Sequence, residues 1–478
     1  MSAAEQLSIN GKLRLLLPPR LEADGRTRAR LAEIAELPFV RHVAVMPDLH
    51  YKKTMESPSS CAVATQEAIV PQFSSASLNC GMTVVATGLH EGQLGDEFLR
   101  AFYDRLNRGF WRRVINRLGI ARSDYDLTRA ELVQVYLRGA RALAQKYRLD
   151  DDTLAHIEDG GSLLPEEAIA SIDLDRIVPG PASTKSRYNL GLSFGGNHFM
   201  EFQAVDEVLD PTTAARWGLK AGQIVLMYHT GPGIASTMMG RYYAGPRLKD
   251  SPRRQRDYFV KKVAFHLLNP DALRSWRARW RSYFVGDLNV NNPASAEGHR
   301  LLVSLAVAMN YGYAYRAATF ARVRDALADL AGDHQVCLIY DSSHNSIQRE
   351  TIDGEELWIH RHNACRVRPG DPSIISGYSH TSSFLAVGLP GVAASLYTVD
   401  HGAGETIYRY EREGWLAPEP RYRTRRFVFK HRPRDEGYRV TEVEHVKSDA
   451  VDAVLEMLHA SNLAAPVVRL RPIATLKN

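Results

Sequence analysis

The chain has 478 residues, of which 45% are hydrophobic and 24% charged, with a net charge of +6, and these values are typical of a soluble globular protein. Its longest apolar runs, such as 383–390, are too short to span a bilayer, and residues 1–30 lack the apolar core of an export signal. Four cysteines in this length argue against a disulfide framework, so we expect a reducing compartment, the cytoplasm.

The predicted elements alternate between strand-rich and helix-rich parts. β-Branched and apolar segments predict strands at 38–46 (ending at 47–50), 61–65, 83–88, 190–204, 223–229, 335–341, 356–361 and 393–399. Apolar residues at helical spacing predict helices at 94–118, 128–147, 254–275, 299–330 and 447–461. This is a mixed α/β pattern.

The candidate functional residues run from position 48 to position 401, and no long linker or internal repeat separates them. One fold must therefore bring them together. We predict a single large domain, 1–478, in which 92–160 and 254–330 are helical insertions.

Five short turns marked by glycine or asparagine carry one cysteine and four histidines. They read NCG at 79–81, GGNH at 195–198, YHTG at 228–231, DSSHN at 341–345 and HGAG at 401–404. Thiolate and imidazole are ligands that borderline divalent metals prefer, and the flanking residues permit tight backbone that points them inward. A single histidine in such a turn would not indicate a metal site, but five turns together favour a metal centre.

Cys80 with two or three imidazoles would suit Zn, Mn, Fe or Co. A bridging thiolate could hold two ions, which would clamp the attacking and leaving oxygens of a phosphoryl transfer. The alternative is that Cys80 is a small buried hydrophobic residue, although its Asn-Cys-Gly setting argues against a plain core position.

His401 differs from the other histidines because it opens a Gly-Ala-Gly loop whose amides can face an anion. Imidazole forms phosphoramidates, so His401 could be a covalent nucleophile toward phosphorus. From these residues alone, a histidine in an ordinary β-turn is an equally good interpretation.

Three basic clusters, at 253–256, 274–281 and 421–426, are interleaved with aromatic residues. This combination suits a polyanion whose bases can stack. Each cluster taken alone is about as consistent with a solvated helix face.

The ordered motifs NCGM, GGNHFME, HTG, SHN and HGAG, with a C-terminal lysine, resemble the RtcB family of GTP-dependent RNA ligases. The resemblance runs from MPDLH at 46–50 to 469–477 and covers most of the chain. It implies the family's α/β architecture, with sheets around a metal cleft. It also implies an RNA repair or tRNA-splicing enzyme that joins an RNA 3′-phosphate or 2′,3′-cyclic phosphate end to a 5′-hydroxyl end.

The resemblance further implies site residues. A cysteine would bridge two Mn(II) ions, and the metal ligands would be Cys80, His198, His229 and His344. His401 would be the guanylylated nucleophile, and Asp48 is the candidate general base or metal-associated carboxylate. The contacts to GTP would be Asn197, His198, Phe199, Met200, Glu201, His344, Asn345, Ser376, Gly377, Tyr378, Ser379, Ser383, His401, Gly402, Ala403, Gly404 and Lys477.

The chain also departs from the family pattern. Ser77 stands where an additional aspartate ligand is usual, and Glu405 stands where an arginine usually follows HGAG. A glycine-rich run is replaced at 51–55, and an Arg-Lys-Gly-Ala-Thr-Arg segment is replaced at 361–366. These changes indicate a divergent member of the family.

Serine is a neutral and poor ligand, so the loss of a carboxylate at position 77 weakens one metal site. We therefore expect one tightly held ion and one weaker ion. The tight ion is expected on Cys80, His229 and His344, and the weaker ion near His198.

Two other functions fit the motifs. The chain could keep only 3′-end chemistry, such as cyclic-phosphate hydrolysis or end capping. It could instead be a non-catalytic paralogue that binds RNA ends, but retention of His401, Lys477 and the Cys/His set argues against this. The sequence indicates neither a membrane nor a particular protein partner.

Overall fold

The structure is a computed structural model, which describes residues 11–18, 20–52, 57–107, 124–180, 182, 186–188, 190–191, 197–244, 251–268, 272–332, 335–415, 420–429, 438–446 and 449–477. At 107, 254, 273, 420–429, 438–441, 445–446, 449 and 477 the description covers the backbone alone.

Sixteen strands lie within the described residues. In chain order, β1 to β16 are Leu13–Leu15, Val40–His50, Ser59–Thr65, Gly81–His90, Phe199–Val208, Gln223–Thr230, Val336–Ser343, Asn345–Ile352, Glu355–His362, Ala364–Arg366, Pro372–Ile375, Ser383–Gly388, Thr398–Asp400, Pro420–Phe429, Tyr438–Val446 and Ala464–Lys477.

Thirteen α-helices lie in the same part of the chain. In order, α1 to α13 are Gly25–Glu36, Asp96–Asn107, Arg129–Arg138, Ala144–Tyr147, Asp151–Ala155, Glu166–Ile169, Pro211–Arg216, Gly233–Ala244, Pro252–Leu267, Ala272–Phe284, Ala296–Ala331, Gly404–Arg412 and Asp449–Ala460. No described helix combines the length and the apolar character needed to cross a membrane.

The mixed α/β class is confirmed, and most predicted elements are present with shifted ends. The confirmed strands are those predicted at 38–46, 61–65, 83–88, 223–229, 335–341 and 356–361. The confirmed helices are those at 299–330, which is the 36-residue helix α11, and at 447–461.

Two strand predictions are wrong in their position. In the segment predicted as a strand at 393–399, a 3₁₀ helix continues to Ser395, Leu396 and Tyr397 have positive φ, and the extended part is Thr398–Asp400. The strand predicted at 190–204 begins at Phe199, since Gly191 has a φ of +75° in a turn, and 192–196 lie outside the described residues.

Two helix predictions are interrupted, and a third is described only in part. The helix predicted at 94–118 is described as far as Asn107, as α2, and 108–118 lie outside the described residues. The helix at 128–147 is interrupted at Gly139, whose φ is +57°. The helix at 254–275 is two helices, α9 and α10, and the sequence between them contains Pro270.

Most strands belong to two sheets. Nine strands form one sheet with the order β11-β12-β16-β5-β6-β4-β7, in which β14 also pairs with β16 and β15 with β14. Five strands form the second sheet in the order β1-β2-β3-β9-β8, and β10 pairs with β13. The chain passes from the first sheet to the second at His344, the single residue between β7 and β8.

Helix α11 packs on one face of the nine-stranded sheet. Its N-cap is Ser295, whose side chain accepts a hydrogen bond from the Gly298 amide, and its C-cap is Gly332, whose φ is +82°. The largest hydrophobic core joins α11 to β5 and β6 through residues such as Phe202 and Leu226. A separate core joins the two sheets to helices α12 and α13.

Arg316 of α11 fixes the turn that precedes β4. Its guanidinium is fully buried and donates to both carboxylate oxygens of Asp341, at 2.7 and 2.8 Å. It also donates to the side-chain oxygen of Asn79 at 2.8 Å and to the Asn79 carbonyl. Asn79 has a φ of +58°, and a Cβ on Gly312 would lie 2.6 Å from the Asn79 Cβ. The turn therefore depends on close packing against α11.

Replacing Arg316 should destabilise the protein. Arg316→Met leaves the Asp341 carboxylate buried without its cation, so we expect a loss of about 3–5 kcal/mol in the free energy of unfolding. Arg148 pairs with Asp325 on the surface, and Arg148→Met should change stability by less than about 1 kcal/mol. Urea titrations of both variants measure the difference, and equal losses would contradict the role given to the Arg316 pair.

Candidate active site and metal centre

The predicted metal ligands meet at one end of the nine-stranded sheet. They are Cys80, His198, His229 and His344. In an antiparallel sheet the start of one strand lies beside the end of its neighbour. Gly81, at the start of β4, accordingly pairs with Thr230 at the end of β6 and with Ser343 at the end of β7. The topology thus gathers residues that are far apart in sequence.

The ligand atoms approach each other closely. The Cys80 Sγ lies 3.2 Å from the His198 Nε2 and 3.4 Å from the His229 Nε2. Donor atoms of these three residues all lie within 4.8 Å of one another. The His344 Nε2 lies 2.9 Å from the His229 Nε2. The compact group therefore consists of Cys80, His198 and His229, although we had expected only the weaker ion near His198. His344 lies next to this group and contacts it through His229.

The chemistry of this donor set fits a divalent metal. Burial lowers the pKa of His229 and His344 well below the usual range, so both imidazoles are neutral and offer lone pairs. Burial raises the pKa of the Cys80 thiol to about 12 despite the charge of Arg316. A bound cation would favour the thiolate. Ser77 lies one turn before Cys80 and contributes its carbonyl to the Cys80 amide, and it has no carboxylate to offer.

His401 stands beside this cluster with one nitrogen already engaged. The pairing of β13 with β10 places it next to Asn363, and the His401 Nδ1 lies 2.9 Å from the Asn363 carbonyl oxygen. Because a carbonyl only accepts, Nδ1 carries the proton and Nε2 keeps its lone pair. The ring stacks on His344 with centroids 4.3 Å apart. Burial lowers the pKa of His401 to about 4, which keeps the ring neutral.

His401 forms part of the wall of a cleft of about 510 Å³. Many of the residues predicted from sequence line this cleft: Asp48, Asn197, Phe199, Glu201, Ser376, Gly377, Tyr378, Ser379, Gly402 and Gly404. His229 opens into the same cleft, so the metal cluster and the predicted nucleotide site are continuous.

Other predicted contacts lie behind the cleft wall. Ser383 accepts hydrogen bonds from the Gly377 amide and from Gln203, and so holds the 376–383 loop. Asn345 accepts from the Asn363 amide and donates to the Ser77 carbonyl. Each of these side chains thus braces a loop at the edge of the site.

Three more predicted contacts take no part in the cleft lining that the structure describes. Met200 faces the main hydrophobic core, and Ala403 is buried in the core that joins the sheets. Lys477 ends β16 beside Val428, and its side chain lies outside the described residues. Their contacts with a nucleotide remain predictions.

Asp48 serves as a helix cap in this structure. Its carboxylate accepts the Thr406 amide of α12 at 2.8 Å, and its own amide donates to the Asp400 carboxylate at 3.1 Å. Burial and the nearby charge of Glu405 raise the pKa of Asp48 to about 7, although the bond from Thr406 lowers it. Asp48 lines the cleft but is not in the compact ligand group, and its role as a base remains a prediction.

Six cleft residues were not proposed as site residues from the sequence: His50, Lys52, Asn363, His380, Thr475 and Glu405, the last noted only as a departure from the family pattern. Lys52 and Asn363 fall in the segments at 51–55 and 361–366 that depart from the family pattern, which could have marked them. Thr475 donates to Glu201 from the neighbouring strand β16, a strand that the sequence analysis did not predict.

Comparison with known proteins shows the family to which the chain belongs. A family model described as tRNA-splicing ligase RtcB matches residues 30–478, and the chain therefore belongs to the RtcB family. The RNA-splicing ligase RtcB of Mycobacterium bovis is 29% identical over 94% of this chain and the whole of that protein. The tRNA-splicing ligase RtcB of Thermococcus kodakarensis is 26% identical over 97% of this chain and 95% of that protein.

The number of bound ions tests the site. Because Ser77 supplies no carboxylate, protein loaded with Mn(II) and then dialysed should retain nearer one ion than two per chain, as measured by inductively coupled plasma mass spectrometry. Cys80→Ala should retain little metal. Cys61→Ala is the control, since it removes another buried thiol outside the ligand group. Two retained ions would contradict this prediction and would implicate a carboxylate such as Glu201.

Proposed function

We propose that this protein is a cytoplasmic RNA ligase that joins RNA 3′-phosphate or 2′,3′-cyclic phosphate ends to 5′-hydroxyl ends, using GTP and Mn(II). Membership of the RtcB family supports ligation of RNA. We also propose that residues 1–478 act as one ligase domain, in which 92–160 and 254–330 are insertions between core strands.

The orientation of His401 carries this proposal. Its Nδ1–H is held by the Asn363 carbonyl, which leaves a neutral Nε2 lone pair at the wall of the cleft. In the first step Nε2 attacks the α-phosphorus of GTP, a phosphoramidate N–P bond forms, and pyrophosphate leaves. The Nδ1 hydrogen bond to Asn363 stabilises the ring as it becomes cationic.

The later steps transfer the nucleotide and then join the RNA ends. An oxygen of the RNA 3′-phosphate attacks the phosphorus of GMP and releases His401. The 5′-hydroxyl oxygen then attacks the RNA 3′-phosphorus, its proton passes to Asp48 as the proposed general base, and GMP leaves. A cyclic phosphate end must first be opened by water to the 3′-phosphate.

The cleft offers polar groups for the guanosine nucleotide. Glu201 is fixed by Gln203 and Thr475, so its carboxylate is oriented before a ligand arrives. The loop 376–379 and the glycines at 402 and 404 bring backbone close to His401. Mn(II) held by Cys80, His198 and His229 would offset the charge of the triphosphate.

Negative charge in the cleft supports a second candidate function. Glu405 and Asp48 both line it, where incoming phosphates would be repelled. An enzyme limited to 3′-end processing, such as cyclic-phosphate hydrolysis or capping, is therefore the second candidate. A non-catalytic protein that binds RNA ends is the third, and the free Nε2 of His401 argues against it.

Replacement of the nucleophile separates these functions. His401→Ala should abolish the covalent, acid-labile GMP adduct formed with labelled GTP and Mn(II), and it should abolish ligation. Its metal content should stay at the wild-type level, because His401 is proposed as nucleophile and not as ligand. Cys80→Ala should lose both metal and adduct. A wild-type protein that processes RNA ends without forming the adduct would support the second candidate instead.

Reversal of charge at Glu405 tests the phosphate position. Glu405→Arg should lower the KM for GTP about threefold to tenfold, because the guanidinium can form charge-assisted hydrogen bonds with a phosphate. Glu413→Arg makes the same change at the exposed end of α12 and should leave the KM for GTP unchanged. A large loss of activity in Glu405→Arg alone would show that the pocket requires the acid.

A further inference from the structure

Helix α9 carries a buried lysine, Lys262, that forms no salt bridge with the described residues. Only 7% of Lys262 is exposed, and its ammonium borders a cavity of about 620 Å³ between α9, the end of α10 and residues 286–289. No carboxylate among the described residues lies within 4 Å of this ammonium, and the ring of Phe284 lies 5.3 Å away. Buried lysines are usually paired, so this arrangement is costly without an anion.

The electrostatic environment of the cavity favours an anion. Burial alone lowers the pKa of Lys262 to about 8, so the amine is still mainly protonated at neutral pH. Arg256 adds a second cation to the lining, and Asp287 is the acidic residue on it. Asn289 and Gln72 are rigid parts of the wall, since the Asn289 amide donates to the side chain of Gln72.

Phe259 and Phe284 line the same cavity, and Trp280 stacks on Phe284 outside the lining. Phe259 is 52% exposed and Trp280 is 40% exposed. The Trp280 ring stacks on Phe284 with centroids 5.2 Å apart, and Phe259 meets Phe284 edge to face at 5.9 Å. Exposed rings beside a cationic pocket are suited to bases and phosphates together.

The two helices carry a strong excess of positive charge. Between residues 252 and 284 the only acidic residues in the sequence are Asp257 and Asp271, against arginine or lysine at 253, 254, 256, 261, 262, 274, 277, 279 and 281. Arg279 is not available to a ligand, because it is buried and pairs with Glu297 at 2.8 Å. The remaining charge lies largely on the exposed faces of α9 and α10.

We propose that this cavity, which we call the α9–α10 cavity, binds one nucleotide of single-stranded RNA at a distance from the His401 cleft. The phosphate contacts Lys262 and Arg256, and the base stacks on Phe259, the exposed ring in the cavity lining. The two sites share no lining residue, so the α9–α10 cavity holds a part of the substrate away from its reacting end. This inference rests on the proposed function, which supplies RNA as the substrate.

Fluorescence anisotropy with a single-stranded RNA that has a 5′-hydroxyl and a 3′-phosphate tests the phosphate contact. Lys262→Met should weaken RNA binding about tenfold and reduce the slope of log affinity against log salt by about 0.7. Lys261→Met removes the same charge at the exposed neighbouring position and should change affinity less than about twofold. Thermal unfolding of Lys262→Met should occur at the wild-type temperature or above, because an unpaired buried charge is removed.

The base contact has its own variant. Phe259→Leu keeps an apolar side chain but loses the stacking surface, and RNA affinity should fall about fivefold or more. Val260→Ala alters the adjacent exposed residue and is the control. Wild-type RNA affinity in Lys262→Met would overturn the inference, and wild-type affinity in Phe259→Leu would assign the exposed rings to a protein partner instead.

The test separates this site from the ligase reaction. Lys262→Met should form the His401 adduct with GTP in the absence of RNA as wild type does. If no adduct forms in either protein while Lys262→Met still loses RNA affinity, the proposed reaction fails and the α9–α10 cavity stands.

Discussion

Arg316 is a fully buried cation, and the turn that presents Cys80 is built around it. A buried guanidinium is tolerated when its donors are satisfied, and here Asp341 and Asn79 accept four of its hydrogen bonds. Asp341 belongs to β7 and Asn79 precedes β4, so one side chain of α11 ties together the two strand ends that flank the metal cluster. The position of the thiol is thereby set by the helical layer as much as by the sheet.

The chain uses buried positive charge in two different ways. At Arg316 the charge is neutralised within the protein and supports a loop. At Lys262 no described carboxylate is in contact, and the ammonium faces a cavity large enough for a ligand. Desolvation makes a buried cation costly in both places. At Arg316 partners within the protein offset this cost, whereas at Lys262 the cost indicates a site for an anionic ligand.

The sequence predicted which residues form the Cys/His cluster better than it predicted how these residues are arranged. Short turns around Cys80, His198, His229 and His344 carry side-chain types with specific chemistry, and these could be read without a fold. The grouping of His198 with Cys80 could not, because it depends on the order β5-β6-β4-β7, which sequence patterns do not encode.

Contacts made by the backbone could not be predicted from the sequence, for a related reason. The Asn363 carbonyl that orients His401 has no side-chain signature, and it is placed by the pairing of two three-residue strands, β10 and β13. The strand prediction at 393–399 is wrong because two consecutive residues adopt positive φ. Tertiary packing imposes this conformation, and local propensity does not predict it.

His344 is the only residue between the last position of one sheet and the first of the other, and its ring touches both His229 and His401. An ion that binds this cluster only in the folded chain would add its binding free energy to the stability of that junction. Binding of the ion and the stability of the junction between the two sheets would then be thermodynamically linked. Loss of such an ion would destabilise the protein at the proposed catalytic site, so the metal would contribute to stability as well as to chemistry.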